Sequence, residues 1–290
     1  MKLDAVVQRA FPPVEQAWDA RDTALYALSL GMGSDPLDAL ELPYVYEGRD
    51  GRGLRAVPTF AMTLAWPPFW QDDPATGIDW VRILHGEQHV QWHRPLPVAG
   101  RVIGRHRLIA VEDKGPGRGA VIHFAIDLAD AASGEPAAHI RQVQFLRGDG
   151  GCGAWGQAPP PCDPLPADAV PDETVDIATL PQGALLYRLA SRDYMPIHAD
   201  PATARQAGCE RPISHGLHTL GVAARAILRR HAPGAPERLR ALSVRFASPG
   251  LPGDTVRIEL FHGADGLRFR ARALERGALL LDRGRCTLQA

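Results

Sequence analysis

The chain has 290 residues, enough for two halves that each bury a core. Its 32 Lys and Arg nearly cancel its 33 Asp and Glu, so it lacks the broad positive field that draws in nucleic acid or an anionic membrane, and neither is expected as a partner. The four cysteines, Cys152, Cys162, Cys209 and Cys286, form no C-x-x-C pair and have no zinc-type histidine spacing, so no structural metal is expected.

In chain order, the opening MKLDAVVQRAFPPVEQAW carries Asp4, Arg9, Pro12, Pro13 and Glu15 where a signal peptide needs an unbroken apolar run. No later stretch is long enough to span a bilayer, and the expectation is a soluble cytoplasmic protein. VPTFAMTLAW, Val57 to Trp66, reads as the start of an apolar helix. A proline turn, RPLPVAGRV, then leads through Gly100 into three strand-length runs, Arg101 to Ala110, Ala120 to Leu128 and Ala138 to Leu146. The turn signals DKGPGRG and DAASGEP separate them; the first is glycine-rich, but its place between two strands makes it a hairpin loop rather than a phosphate cradle.

From Gly148 to Glu173 the sequence is dense in Gly, Pro and Asp and has no periodicity, so it is taken as a linker between residues 1–147 and 174–290. Beyond it, HGLHTLGVAARAILRR, His215 to Arg230, sets Leu217, Leu220, Gly221, Ala224, Ile227 and Leu228 on one side at helical spacing. A second proline turn, SPGLPGDTV, echoes the first, and strands follow at Leu239 to Phe246, Thr255 to Phe261, Leu267 to Leu274 and Ala278 to Leu288. Each half therefore repeats one plan, a helix against an antiparallel sheet, which makes the fold class α+β.

ASRDYMPIHADP, Ala190 to Pro201, sets Asp193 and His198 five residues apart. That spacing turns the side chains about 140° apart in a straight helix and to opposite faces in a straight strand. Pro196 disfavours helix at Met195, so the chain is expected to leave a strand or turn at Arg192 and bend, which can aim both side chains at one point. Asp200 has the acceptor of an N-cap, Pro201 suits the first helical position, and Gly208 suits a left-handed stop. The helix after Pro212 to Gly216 presents free N–H groups and a positive dipole end, and Gly216, without Cβ, lets an acceptor approach them.

YRLASRDYMPIHADPATARQAG and RPISHGLHTLG, between Tyr187 and Gly221, resemble the signature of the MaoC-like (R)-specific enoyl-CoA hydratases, the hydratase 2 family, which runs Y-R-L-S-G-D-x-N-P-L-H-x-D-P and then P-I-L-H-G-L. The resemblance extends through RDTALYALSLGMG, YVYEG, VPTF, LHGEQ and PLPVAG. It implies a double hot dog fold, two long helices each wrapped by an antiparallel sheet, with the motif in the C-terminal half and the acyl chain accommodated by the N-terminal half. By position, Asp193 and His198 match the family's catalytic pair, Gly216 the glycine whose N–H binds the thioester oxygen, and Glu47 a glutamate implicated in activity. Arg192, Tyr194, Met195 and His215 are the expected substrate-binding neighbours. Arg192 stands where the family has glycine, and Met195 where it has asparagine, which removes an amide donor and acceptor.

The implied reaction is reversible hydration of trans-2-enoyl-CoA to (R)-3-hydroxyacyl-CoA by a homodimer that needs no cofactor, coenzyme A being part of the substrate. Adding water across a double bond conjugated to a thioester requires a base, an acid and donors to the enolate oxygen. The alternatives are a hydratase or dehydratase of short branched or dicarboxylic acyl-CoA, which the Arg192 cation suits, and a non-catalytic acyl-thioester-binding hot dog protein, which Met195 suits. His85, Glu87 and His215 are equally readable as hydrogen bonds between the halves. Trp66, Phe69, Phe60 and Tyr46 are readable as an acyl tunnel or as core.

Overall fold

A computed structural model describes residues 1–51, 53–161, 163–263 and 266–289. Cys162 lies outside the described residues. The N-terminal half contains α1 (Leu3–Val7), β1 (Val14–Trp18), α2 (Ala20–Ser29), α3 (Leu42–Val45), β2 (Ile83–Trp92), β3 (Gly100–Asp113), β4 (Ala120–Asp130), β5 (Pro136–Leu146) and the short β6 (Trp155–Gly156). The C-terminal half contains β7 (Glu173–Ala178), α4 (Gly183–Ser191), α5 (Pro201–Gln206), α6 (Gly216–His231), β8 (Leu239–Phe246), β9 (Thr255–Gly263), β10 (Gly266–Ala273) and β11 (Leu279–Leu288).

All described strands join one 11-stranded antiparallel sheet. Outward from its middle, one side runs β2, β5, β4, β3, β1 and the other β8, β11, β10, β9, β7. This is the same plan twice, and it places the echoed proline turns at equivalent points, just before β3 and β9. The expected strands are present with ends shifted by a few residues. The halves do not stand apart: β2 pairs with β8 from Glu87↔Arg245 to Gln91↔Ala241. The main core is likewise shared, for Tyr26, Phe60 and Leu64 belong to one buried cluster with Leu220, Ile227 and Phe269. Burying each large apolar side chain of this kind stabilises the fold by roughly 1.5–3 kcal/mol. The linker is also fastened to the sheet, since β6 pairs with β3 and Arg270 donates to the carbonyl of Ala169 at 2.9 Å.

α6 is the long helix expected in the second half, but it is not amphipathic in use. Every residue from His218 to Leu228 is buried, so it is wrapped on all sides. Gly221 allows its closest approach, for a Cβ there would stand 2.5 Å from Leu30 Cδ2. Arg225 adds a buried ion pair with Glu41, Nε to Oε1 at 2.5 Å, and donates to the Leu30 carbonyl. The first half departs from expectation. Val57–Trp66 is not a long helix but a 3-10 turn over Pro58–Thr63. Pro67 and Pro68 explain the early stop: they remove donors and push the preceding residue out of helical geometry. The stretch that follows this turn, Trp66 to Gln71, lines a cavity.

Candidate active site

The cavity has a volume of about 1030 Å³ and is lined from both halves. Asp193, His198, His215 and Gly216 sit on its C-terminal side, while Trp66, Phe69, Trp70, Phe124 and His85 come from the N-terminal half. Trp66 and Phe69 line the cavity, whereas Phe60 is core and Tyr46 is exposed on the surface.

The segment before Asp193 is a helix, α4, not the expected strand or turn. Arg192 caps it at φ 60°, in the left-handed region. Ser191 Oγ donates to the Tyr187 carbonyl and accepts from Asp193 N–H at 3.2 Å. Asp193 Oδ1 then accepts from Met195 N–H at 3.1 Å, closing an Asx turn. Pro196–His198 forms one 3-10 turn, and α5 begins as expected, with Asp200 accepting from Ala202 N–H and Thr203 N–H. This succession of helix end, Asx turn and 3-10 turn swings His198 back beside Asp193, which regular structure cannot do.

His198 Nδ1 lies 2.9 Å from the Ile213 carbonyl, which fixes a proton there and leaves Nε2 with its lone pair free. Burial pushes its pKa down, although the Asp193 charge and the Ile213 bond oppose that shift. The imidazole is therefore neutral near pH 7. The His215 ring stacks on it with centroids 3.6 Å apart and donates from Nε2 to the Asp193 carbonyl at 3.3 Å. Burial first, and then the neighbouring His198, pull the His215 pKa down to about 2. One donor atom from each of Asp193, His198 and His215 falls within 4.8 Å of the others. A carboxylate and an imidazole at such a distance can share one bridging water.

Gly216 opens α6 at the cavity wall, and no side chain caps the helix. Its first-turn N–H groups have no intrahelical acceptor and carry the positive end of the dipole. A Cβ on Gly216 would meet the Phe246 ring at 3.0 Å. Of the other expected residues, Met195 and Arg192 line the cavity. Arg192 also lies 3.7 Å from Asp22. Tyr194 lines it with its ring under the Arg188 guanidinium, 4.6 Å away. Glu47 does not join them. It is exposed after α3, its carbonyl accepting from Gly53 N–H, and it is not among the cavity-lining residues.

A second polar group in the cavity has no counterpart in the expected site. Gln71 donates to Gln144 at 2.8 Å, Gln144 to Gln142 at 3.4 Å, and Gln142 to His85 Nδ1 at 3.4 Å. His85 in turn donates from Nε2 to the Glu87 carbonyl at 3.1 Å, and burial holds its pKa down to about 4. The period-2 glutamines of RQVQF were the available signal for this ladder. Glu87 instead holds His89, Oε2 to Nε2 at 2.9 Å.

Two family models match the chain, the MFE-2 hydratase 2 N-terminal domain over residues 17–148 and the MaoC like domain over residues 165–280. The peroxisomal enoyl-CoA hydratase 2 of Arabidopsis thaliana is 35% identical over 96% of this chain and 93% of its own. The crystal structure of a MaoC-like dehydratase from Phytophthora capsici superposes with a TM-score of 0.84 at 30% identity, covering 100% of this chain and 99% of that one. A Mycobacterium tuberculosis protein described as having a double hotdog fold shares the architecture, with a TM-score of 0.60 at 16% identity over 99% of this chain and 98% of its own. Among the described residues no helix is long and apolar enough to cross a membrane.

Proposed function

We propose the function from one premise: the chain belongs to the MaoC-like hydratase 2 family, and it is a hydro-lyase that reversibly hydrates trans-2-enoyl-CoA to (R)-3-hydroxyacyl-CoA. The observation that carries the assignment of roles is the convergence of the Asp193 carboxylate and the His198 imidazole, within 4.8 Å, in a cavity that Gly216 also lines. The acyl chain lies among Trp66, Phe69 and Trp70, and the thioester oxygen accepts from Gly216 N–H. Asp193 accepts one hydrogen of the water and His198 Nε2 the other.

In the hydration direction His198 removes a proton as the water oxygen bonds to C3. The C2–C3 π pair moves toward the thioester, and the helix N-terminus stabilises the enolate oxygen, an interaction of the kind usually worth a few kcal/mol in the transition state. The imidazolium then returns its proton to C2, so that water has added across the bond and both side chains end as they began. Asp193 offsets the imidazolium charge between the two steps.

Met195 in place of asparagine does not argue for a binding-only protein, because the main-chain N–H of residue 195, not its side chain, holds Asp193. A cytoplasmic homodimer remains the proposed state, read by cell fractionation and by light scattering of the purified chain. The decisive assay is loss of the enoyl absorbance with crotonyl-CoA, followed by chiral separation of the product. Binding of a saturated acyl-CoA without turnover of any enoyl-CoA tried would overturn the catalytic reading.

A further inference from the structure

At the opposite end of α6 from Gly216, three donors meet where three elements begin or end. Glu173 begins β7, His231 is the last residue of α6, and His262 lies near the end of β9. Antiparallel pairing of β7 with β9 sets the first and last side by side, and Asp172 fixes the register by accepting from His262 N–H at 2.7 Å. The end of α6 brings in the third.

His262 Nε2 lies 3.0 Å from Glu173 Oε1, and His231 Nε2 lies 3.4 Å from the same oxygen. One donor atom from each of the three residues lies within 4.8 Å of the others. Donors around a tetrahedral zinc ion stand roughly 3.3 Å apart, given bond lengths of about 2.0–2.2 Å. Two neutral imidazoles and one carboxylate are a donor set for zinc and its late first-row neighbours, and not for magnesium or calcium, which take oxygen.

His231 Nε2 supplies the second observation. The atom itself is shielded from solvent, on a side chain that is 17% exposed, and although it stands near Glu173 it is not aligned for a hydrogen bond. A metal would use this orphaned lone pair. His262, with 55% of its side chain exposed, leaves an entry path and room for a water as fourth ligand. The C-terminal end of a helix carries partial negative charge, which also favours a cation. Arg230, 4.0 Å from Glu173 Oε2, faces the other carboxylate oxygen and leaves Oε1 to the metal.

We propose that Glu173, His231 and His262 form a divalent transition-metal site, selective for zinc-like ions, that clips the end of α6 to the β7–β9 edge. It is independent of the hydratase reaction, whose residues it does not include.

The full chain, stripped with chelator, should bind one zinc ion in calorimetry, and cobalt should give the visible absorption of a tetrahedral complex. His262→Ala should weaken binding by at least about tenfold and remove the cobalt bands, with unchanged crotonyl-CoA turnover. His231→Ala should do the same if it folds, and the exposed His262 variant decides the matter if it does not. His198→Ala should leave zinc affinity unchanged. No zinc binding at millimolar metal, wild-type affinity in His262→Ala, or loss of binding in His198→Ala, which would put the ion in the catalytic cluster, would each overturn the proposal.

Discussion

His198 and His215 stack with their planes 24° apart, and each uses one ring nitrogen on a different carbonyl, Ile213 for the first and Asp193 for the second. The second contact ties the backbone of Asp193 to the ring that stacks on His198. Removing either reacting side chain should therefore cost turnover without costing the fold. Asp193→Asn and His198→Ala are each expected to lower kcat by at least roughly 10², with melting temperatures close to wild type. A folded variant of either with near wild-type kcat would remove that residue from the reaction.

The same burial sets a pH dependence. His85 and His218 are held down to about 4 and His215 to about 2, chiefly by desolvation, while the unfolded chain protonates each near the ordinary value of about 6.5. Between those limits the unfolded state binds more protons, so stability is full above about pH 6.5 and falls as the pH drops toward the folded values. Each such group contributes a slope of up to about 1.4 kcal/mol per pH unit. Thermal melts at pH 7.5, 6.5 and 5.5 should show little change in the first step and a clear drop in the second. Turnover should persist below the ordinary imidazole value, since His198 is also shifted down and stays a base.

Gly216 has two reasons to be glycine, and they can be separated. On sequence alone, Gly216→Val should harm turnover more than stability. The 3.0 Å approach of its virtual Cβ to Phe246 adds an overpacking cost of about 1–3 kcal/mol. Pairing it with Phe246→Leu should recover most of the melting temperature. The double variant should still turn over about 10²- to 10³-fold more slowly, as for loss of an oxyanion donor. Full recovery of activity would make Gly216 a packing residue only.

Arg192 sits at φ 60°, where its Cβ is a burden that glycine lacks. Its contact with Asp22 is long and largely exposed, so little is lost with it. Arg192→Gly should raise stability by up to about 1 kcal/mol, seen as a higher denaturant midpoint, with turnover of crotonyl-CoA within about twofold of wild type. A loss of stability would mean that the Arg192 side chain does more than its contacts indicate.

What could be read from the sequence follows the physics of each element. The strands β8 to β11 are apolar-rich runs bounded by turn signals and were legible to within two residues at their ends. The capping of α5 by Asp200 was legible too, because it depends on local chemistry. β2 was not read as a strand, since ILHGEQHVQW carries polar residues on both faces and buries Gln88, and its place at the middle of the sheet is set by β5 and β8. The Val57–Trp66 run looked helical by apolar content, and the two following prolines decided otherwise. Asp193, His198 and Gly216 were singled out through the motif and line one cavity, and the turns that join the first two follow from Asp193, Pro196 and the end of α4. His85 and its glutamine ladder needed the pairing of β2 with β5 before they could be seen as one group.

Met195, like Arg192, departs from the family motif at a position that lines the cavity. Its N–H holds Asp193 Oδ1, a contact that asparagine would keep because it belongs to the main chain. The side chain is another matter: the thioether offers only a weak acceptor, whereas an amide is shorter and supplies both a donor and an acceptor beside the water. Met195→Asn should therefore keep the fold, with a stability cost of order 1 kcal/mol for the lost apolar filling. It should also raise kcat/KM for crotonyl-CoA and for longer straight-chain enoyl-CoA. The gain should appear mainly in kcat, since a better-placed water lowers the barrier without adding contacts to the acyl chain. A folded Met195→Asn chain with unchanged or lower activity on these substrates would mean that the thioether is matched to a different acyl group, and branched and dicarboxylic enoyl-CoA would then be the substrates on which Met195 outperforms asparagine.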